Sequence, residues 1–315
     1  MNDTMPTGWG GEPISLPSLS SIQQARQHLP AFIVHTPLLF AKDPSIHLKP
    51  ETLQPTGAYK VRGVWNWATS LSPSDHAQGL STHSSGNTAL ALGYVARALG
   101  CHAKSRLPDK VPQYKIDAMK SYGVDPHPMP MADLIRFIFE EQWRTESSPF
   151  LNPWADPLML AGNGTIGLEI VEDLKDVESL IVPLGGGGLL IGVAAALKAI
   201  KPDVRVIAVQ PETCAPFQAS LEANRAVWIE PEPTICDGTA LPLVVAEAFP
   251  VLRELIDRLV LVSEDEVRRA MDYRADEHKL IVEGSGAMSL AAAWAVPESE
   301  RGCTVCILSG GNKSR

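Results

Sequence analysis

The sequence predicts an α/β protein of two lobes, each an open, mostly parallel sheet flanked by helices. Short β-branched runs alternate with longer helix-patterned segments almost throughout, which is the signature of parallel strands covered by helices on both faces. At 315 residues the chain is long for one core, so two lobes with a groove between them are expected. With 45% hydrophobic and 20% charged residues, neither a disordered nor a fibrous chain fits.

Three strand–helix units follow one another between residues 79 and 148. Strands over 79–84, 102–106 and 126–130 precede helices over 88–99, 113–122 and 132–143. They define a small domain, 79–148, and leave 1–78 and 149–315 for a large one. In the large domain the runs 180–184, 204–209 and 304–308 read as buried strands, and 189–200, rich in Ala and Leu, as a helix.

Several function classes drop out. No apolar run approaches the ~20 residues of a membrane span, and the start Met1-Asn2-Asp3 lacks the basic and apolar regions of a secretory signal, so a cytoplasmic protein is expected. A formal charge of −9 without a Lys/Arg stripe argues against nucleic acid. The five cysteines form no disulfide framework; Cys303 and Cys306, three apart in an expected strand, face opposite ways and give no redox or metal pair. The chain stops three residues after Asn312, so no appended regulatory domain is expected.

Chemistry concentrates in a few loops. Leu184-Gly185-Gly186-Gly187-Gly188 ends an expected strand and opens an apolar helix. Glycine N–H groups at a helix N-terminus converge on an anion with the helix dipole behind them, so a phosphate is expected there. A Rossmann nucleotide site does not fit. Leu190 stands where the third glycine of GxGxxG belongs, and no acidic ribose ligand follows about 20 residues on. Lys60 lies where a turn meets a helix start; alone, such a lysine reads as a solvated surface group. Ser84-Ser85-Gly86-Asn87 follows a strand with more polar groups than one N-cap requires, and Ser309-Gly310-Gly311-Asn312 ends the last strand.

Together these stretches, in this order, resemble the fold-type-II pyridoxal-phosphate family, tryptophan synthase β-like, in its serine/threonine dehydratase and serine racemase branch. The anchors are Pro55-Thr56-Gly57-Ala58-Tyr59-Lys60-Val61-Arg62-Gly63, the Ser84–Asn87 loop, Ala161-Gly162-Asn163-Gly164-Thr165, the tetraglycine loop and the terminal Ser-Gly-Gly-Asn. The resemblance implies pyridoxal 5'-phosphate in the cleft between the lobes, joined to Lys60 as a Schiff base, its phosphate on Gly185, Gly186, Gly187 and Gly188. It implies Asn87 on the ring hydroxyl and Ser309 opposite the ring nitrogen. Ser84, Ser85, Asn87 and Thr88 would gather the substrate carboxylate, with Arg136 a candidate for a second carboxylate. The activity implied is loss of water and ammonia from a β-hydroxy amino acid such as L-threonine or L-serine, with Lys60 as general base, in a homodimer.

Some positions depart from the family pattern. Thr88 stands where serine racemases have histidine. Leu241, in Asp237-Gly238-Thr239-Ala240-Leu241, replaces a serine near the expected pocket, so a bulkier β-substituent is conceivable. Gln210 and Pro216 stand where relatives supply carboxylates to a divalent cation, leaving Glu212, so no metal is expected. A racemase with Lys60 and Ser85 as catalytic residues on opposite faces of the substrate remains the alternative. A silent ligand-binding protein is a more distant one.

Overall fold

The computed structural model describes residues 6–312; the Met1-Asn2-Asp3 start lies outside them. Ten strands form two sheets. The strands are β1 (Leu39–Phe40), β2 (Ile46–Pro50), β3 (Leu80–His83), β4 (Ala103–Pro108), β5 (Val124–Met129), β6 (Phe150–Leu151), β7 (Ser179–Pro183), β8 (Arg205–Pro211), β9 (Arg258–Val262) and β10 (Thr304–Leu308). The larger sheet runs β1-β2-β10-β7-β8-β9, parallel except for β1 against β2; the smaller runs β5-β4-β3-β6, all parallel.

The large sheet is buried on both faces, which explains its unbroken apolar runs. Leu180, Val182, Val206, Ala208, Val305 and Ile307 join the core on one side. Their neighbours Ile181, Ile207, Val209, Cys306 and Leu308 join the core on the other. The small sheet has its own core, to which Val61, Val64 and Trp67 of the Lys60–Ala68 helix also belong. Its last strand, β6, lies beyond residue 148.

Helix Pro157–Asp173 runs between helices Lys60–Ala68 and Gly188–Ile200 at near-backbone contact. A Cβ on Gly162 would stand 2.6 Å from the Arg62 carbonyl oxygen and the Gly63 Cα, and one on Gly192 would collide with the Leu160 carbonyl. The glycines of the Ala161–Thr165 motif are therefore helix-interior contact points. They carry a propensity cost of about 1 kcal/mol each for the sake of close approach.

Two sequence expectations need correction. The helix expected to reach Trp143 stops at Phe139, because Glu141 takes a left-handed conformation (φ 52°) and the chain tightens into a short 3₁₀ turn over Gln142–Thr145. Cys303 precedes β10, while Cys306 lies inside it. Strands β2 and β9 and the long helix Pro157–Asp173 complete the large lobe beyond the elements read from sequence. Among the described residues no helix is long and apolar enough to cross a membrane.

Gly162→Ala is expected to destabilise the fold by about 1–3 kcal/mol, the overpacking penalty outweighing the gain in helix propensity. Denaturant unfolding would show it; a variant as stable as the parent would mean that the helices separate freely.

Candidate active site

Lys60 opens its helix from a turn stitched to the end of β10. Ala58 bridges Gly310, the Tyr59 N–H donates to the Ser309 carbonyl (3.1 Å), and the Gly311 N–H donates to the Gly57 carbonyl (2.8 Å). Gly57 needs its positive φ of 69°, and a Cβ there would press on Asn312. Lys60 and Ser309 thus lie on adjacent backbone segments, with the Lys60 ammonium 4.9 Å from the Tyr59 ring centre.

Two residues on, Arg62 is wholly buried and holds the helix in place. It donates to Glu51, to Glu169 and to the Val34 carbonyl, while Lys49 bonds Glu169 at 2.8 Å. Burial opposes the Arg62 charge, yet Glu51 and Glu169 keep its pKa above the ordinary arginine value. Losing one partner would strand a buried charge, at a cost of about 3–5 kcal/mol.

Two sets of backbone donors share neighbours with Lys60: its charge acts on His83, which precedes the serine loop and packs on Trp154, and Trp154 lies against Gly186. Among the described residues, the N–H groups of Gly185, Gly186, Gly187, Gly188, Leu189 and Leu190 meet no protein acceptor, although most of this loop is buried. Orphaned donors there fit a phosphate at the helix N-terminus. Neighbours close the other side of the loop. A Cβ on Gly186 would collide with the Trp154 indole, one on Gly185 would lie 3.1 Å from the Thr239 Cα, and Gly187 has φ 90°. The second set comprises the N–H groups of Ser85, Asn87, Thr88 and Ala89 at the start of helix Asn87–Leu99, likewise without protein acceptors. Ser84 is fixed differently, its N–H donating to Ser105 Oγ and its own Oγ accepting from the Gly86 N–H.

Asn87 is held on both sides. Its Nδ2 donates to Glu283 Oε1 (2.9 Å), and its Oδ1 accepts from Asn312 Nδ2 (3.0 Å). Glu283 is 5% exposed. Burial, reinforced by the negative charge of Asp237, pushes its carboxyl up to about 7. His83, at the end of β3, is buried against Phe150 and Trp154 with no partner for either ring nitrogen among the described residues. Burial and the nearby Lys60 charge drive it down to about 3, so it stays neutral.

The fold therefore gathers Lys60, Ser84, Ser85, Asn87, Thr88, the four glycines and Ser309. Arg136 stands apart from this set: it is 61% exposed and paired with Asp133 on its own helix. Gln210 spends its side chain internally, accepting from the Phe217 and Gln218 N–H groups at the start of helix Pro216–Ala223. Among the described residues no cluster of His, Cys, Asp or Glu is placed to hold a metal ion. Sequence reading missed Glu283 and His83. Each had a faint signal, an acid opening an Ala-rich helix and an imidazole just before the serine loop, but burial and partners came only with the fold.

Gly186→Ala is expected to weaken pyridoxal-phosphate binding about tenfold or more, because the loop must move off Trp154 and take its N–H groups with it. Unchanged affinity in an absorbance titration would place the phosphate elsewhere.

Comparison with known proteins agrees with this geometry. The chain is 37% identical over 275 residues to an L-threonine ammonia-lyase of Geobacter sulfurreducens, covering 85% of this chain and 67% of that protein. It is 34% identical to the L-threonine ammonia-lyase of Thermotoga maritima, covering 94% and 75%. Maize serine racemase superposes with a TM-score of 0.87 at 28% identity, over 95% of each chain. The processed form of threonine deaminase isoform 2 from Solanum lycopersicum does so with a TM-score of 0.83 at 30% identity, over 98% of this chain and 93% of that one. Residues 30–310 match the family described as pyridoxal-phosphate dependent enzyme, and the chain belongs to that family.

Proposed function

We propose that this enzyme converts a β-hydroxy amino acid such as L-threonine or L-serine to a 2-oxo acid and ammonia. The observation that carries the reading is two helix starts with unpartnered backbone donors, one suited to the cofactor phosphate and the other to an amino-acid carboxylate, joined to the neighbourhood of Lys60 through His83 and Trp154. The threonine ammonia-lyases among its relatives support the same choice.

Bound at Lys60, pyridoxal phosphate supplies the electron sink that weakens the bonds at Cα. Ser309 would offer the ring nitrogen a hydroxyl, which would not enforce a protonated ring and so would favour elimination over transamination. Ser84, Ser85, Asn87 and Thr88 orient the carboxylate. Lys60 would hold the cofactor and, once its amine is free, would take the Cα proton as general base. The β-hydroxyl would depart as water, the proton it takes up balancing the one removed from Cα, and hydrolysis of the released imine would take up water and free ammonia.

A homodimer in the cytoplasm belongs to the same reading. The cysteines are all free, which fits a reducing compartment. Exposed Phe40 and Trp294 border the end of helix Glu264–His278, where His278 bonds the Phe40 carbonyl and Tyr273 packs on Trp294, an apolar face for a second copy.

Racemisation is the second reading, favoured by the likeness to serine racemase and by a hydroxyl at Ser85.

Lys60→Ala is expected to lose covalently held cofactor and essentially all release of 2-oxo acid across a panel of β-hydroxy amino acids. Normal turnover in that variant would sink the mechanism. Ser85→Ala is expected to abolish any racemisation while keeping a substantial part of 2-oxo acid formation, since only inversion needs a proton donor opposite Lys60. Chiral chromatography and ammonia release on the same samples decide this; a parallel fall in both, with cofactor bound, would assign Ser85 to substrate positioning or to elimination.

A further inference from the structure

Asn87 belongs to the serine loop, whereas both of its partners come from the large lobe. Asn312 Nδ2 donates to Asn87 Oδ1 and also, at 2.6 Å, to the Thr56 carbonyl in the turn that leads to Lys60. Glu283 accepts one N–H of Asn87 Nδ2. The amide oxygen is thereby occupied, and one N–H remains. With a donor on one side and an acceptor on the other, the amide cannot turn over without losing both bonds.

We propose that Glu283 is a positioning residue for this enzyme: through Asn87 it fixes an N–H, and not a carbonyl oxygen, toward the cofactor ring, and it does so only as a carboxylate. The proposal rests on the family's cofactor lying against Asn87. A protonated Glu283 can donate to an amide oxygen as well as accept, which removes its preference for this orientation and leaves Asn312 alone to hold Asn87. The backbone leaves no slack, since a Cβ on Gly310 would stand 2.6 Å from Glu283 Oε1 and 3.1 Å from Asn87 Nδ2.

The charged groups acting on Glu283 are Asp237, which favours the proton, and Lys115, which opposes it; Asn87 and the Asn312 backbone also stabilise the carboxylate through hydrogen bonds. Lys115 sits on helix Gln113–Ser121 next to the small sheet and pairs with Asp237 at 2.7 Å. Contact between the lobes therefore brings in the cation that lowers the affinity of Glu283 for its proton. With the carboxyl pushed up to about 7 from an ordinary 4.5, ionising it costs folded-state stability. The fold should thus weaken as pH rises from about 4.5 to 7, while the grip on Asn87 tightens over the upper part of that window.

The experiment compares pyridoxal-phosphate affinity, by absorbance titration between pH 5.5 and about 8.5, in the parent, Glu283→Gln, Glu283→Ala and Asn87→Ala proteins. In the parent, affinity should fall about tenfold from pH 8 to pH 6, whereas Glu283→Gln, which like the protonated acid can donate as well as accept and cannot titrate, should hold the weaker affinity across the whole range. Glu283→Ala should lose about tenfold at pH 8, and nothing more when combined with Asn87→Ala. Melting temperatures of the same proteins should show the fall between pH 4.5 and 7 flattened in Glu283→Gln. A Glu283→Gln protein that follows the parental affinity course, or alanine effects that add independently, would overturn the proposal. The readout is cofactor binding, so its failure is distinct from failure of the dehydratase reading, which is measured on 2-oxo acid release.

Discussion

The arrangement depends on how closely helix Pro157–Asp173 approaches its two neighbours. Gly162 meets Gly63 on one side, and Leu160 and Gly164 meet Gly192 on the other, with backbone atoms in contact. Those neighbours begin with Lys60 and with Gly188, so these two packing contacts set the separation of Lys60 from the glycine-loop donors. Asn163 adds a bond from Nδ2 to the Gly188 carbonyl. Larger side chains along this helix would widen the gap, and chemistry that relies on a lysine amine reaching one carbon does not tolerate such a shift.

Electrostatics reinforces that frame. Arg62, Lys49, Glu51 and Glu169 are completely or almost completely buried and mutually paired. Such a network adds little net stability compared with apolar packing, but it is costly to break, so it fixes the direction of the Lys60 helix more than it strengthens the fold. The N-termini of helices Asn87–Leu99 and Gly188–Ile200 act in the opposite sense. Their N–H groups are left unpartnered by the protein, a cost that an anion can offset.

The surroundings of the glycine loop come from other parts of the chain. Thr239 abuts the phosphate loop, and Leu241 follows it in the same short stretch, with its carbonyl accepting from Cys214 Sγ. Neutral His83 closes the far side against Trp154, the residue that presses on Gly186. Trp154 thus touches both His83 and the glycine loop, so a change in one of them is felt by the other.

Much of this was legible in the chain itself. Strand and helix periods gave the alternation of elements, because residues facing two buried layers must be apolar on both sides; β10 begins and ends where its pattern does. The glycine run, Lys60, Ser84–Asn87 and Ser309 could be singled out because backbone exposure, a basic amine and hydroxyls at strand ends are local properties. The sequence could not show that Arg136 would turn to Asp133 and the solvent, since whether a helical arginine faces a site depends on the docking of its helix. Nor could it single out Glu283, an acid like any other until Asn87, Asp237 and Gly310, far apart in the chain, enclose it. Burial and partner choice are properties of tertiary contact, and they decide which polar residues titrate, orient or stay inert.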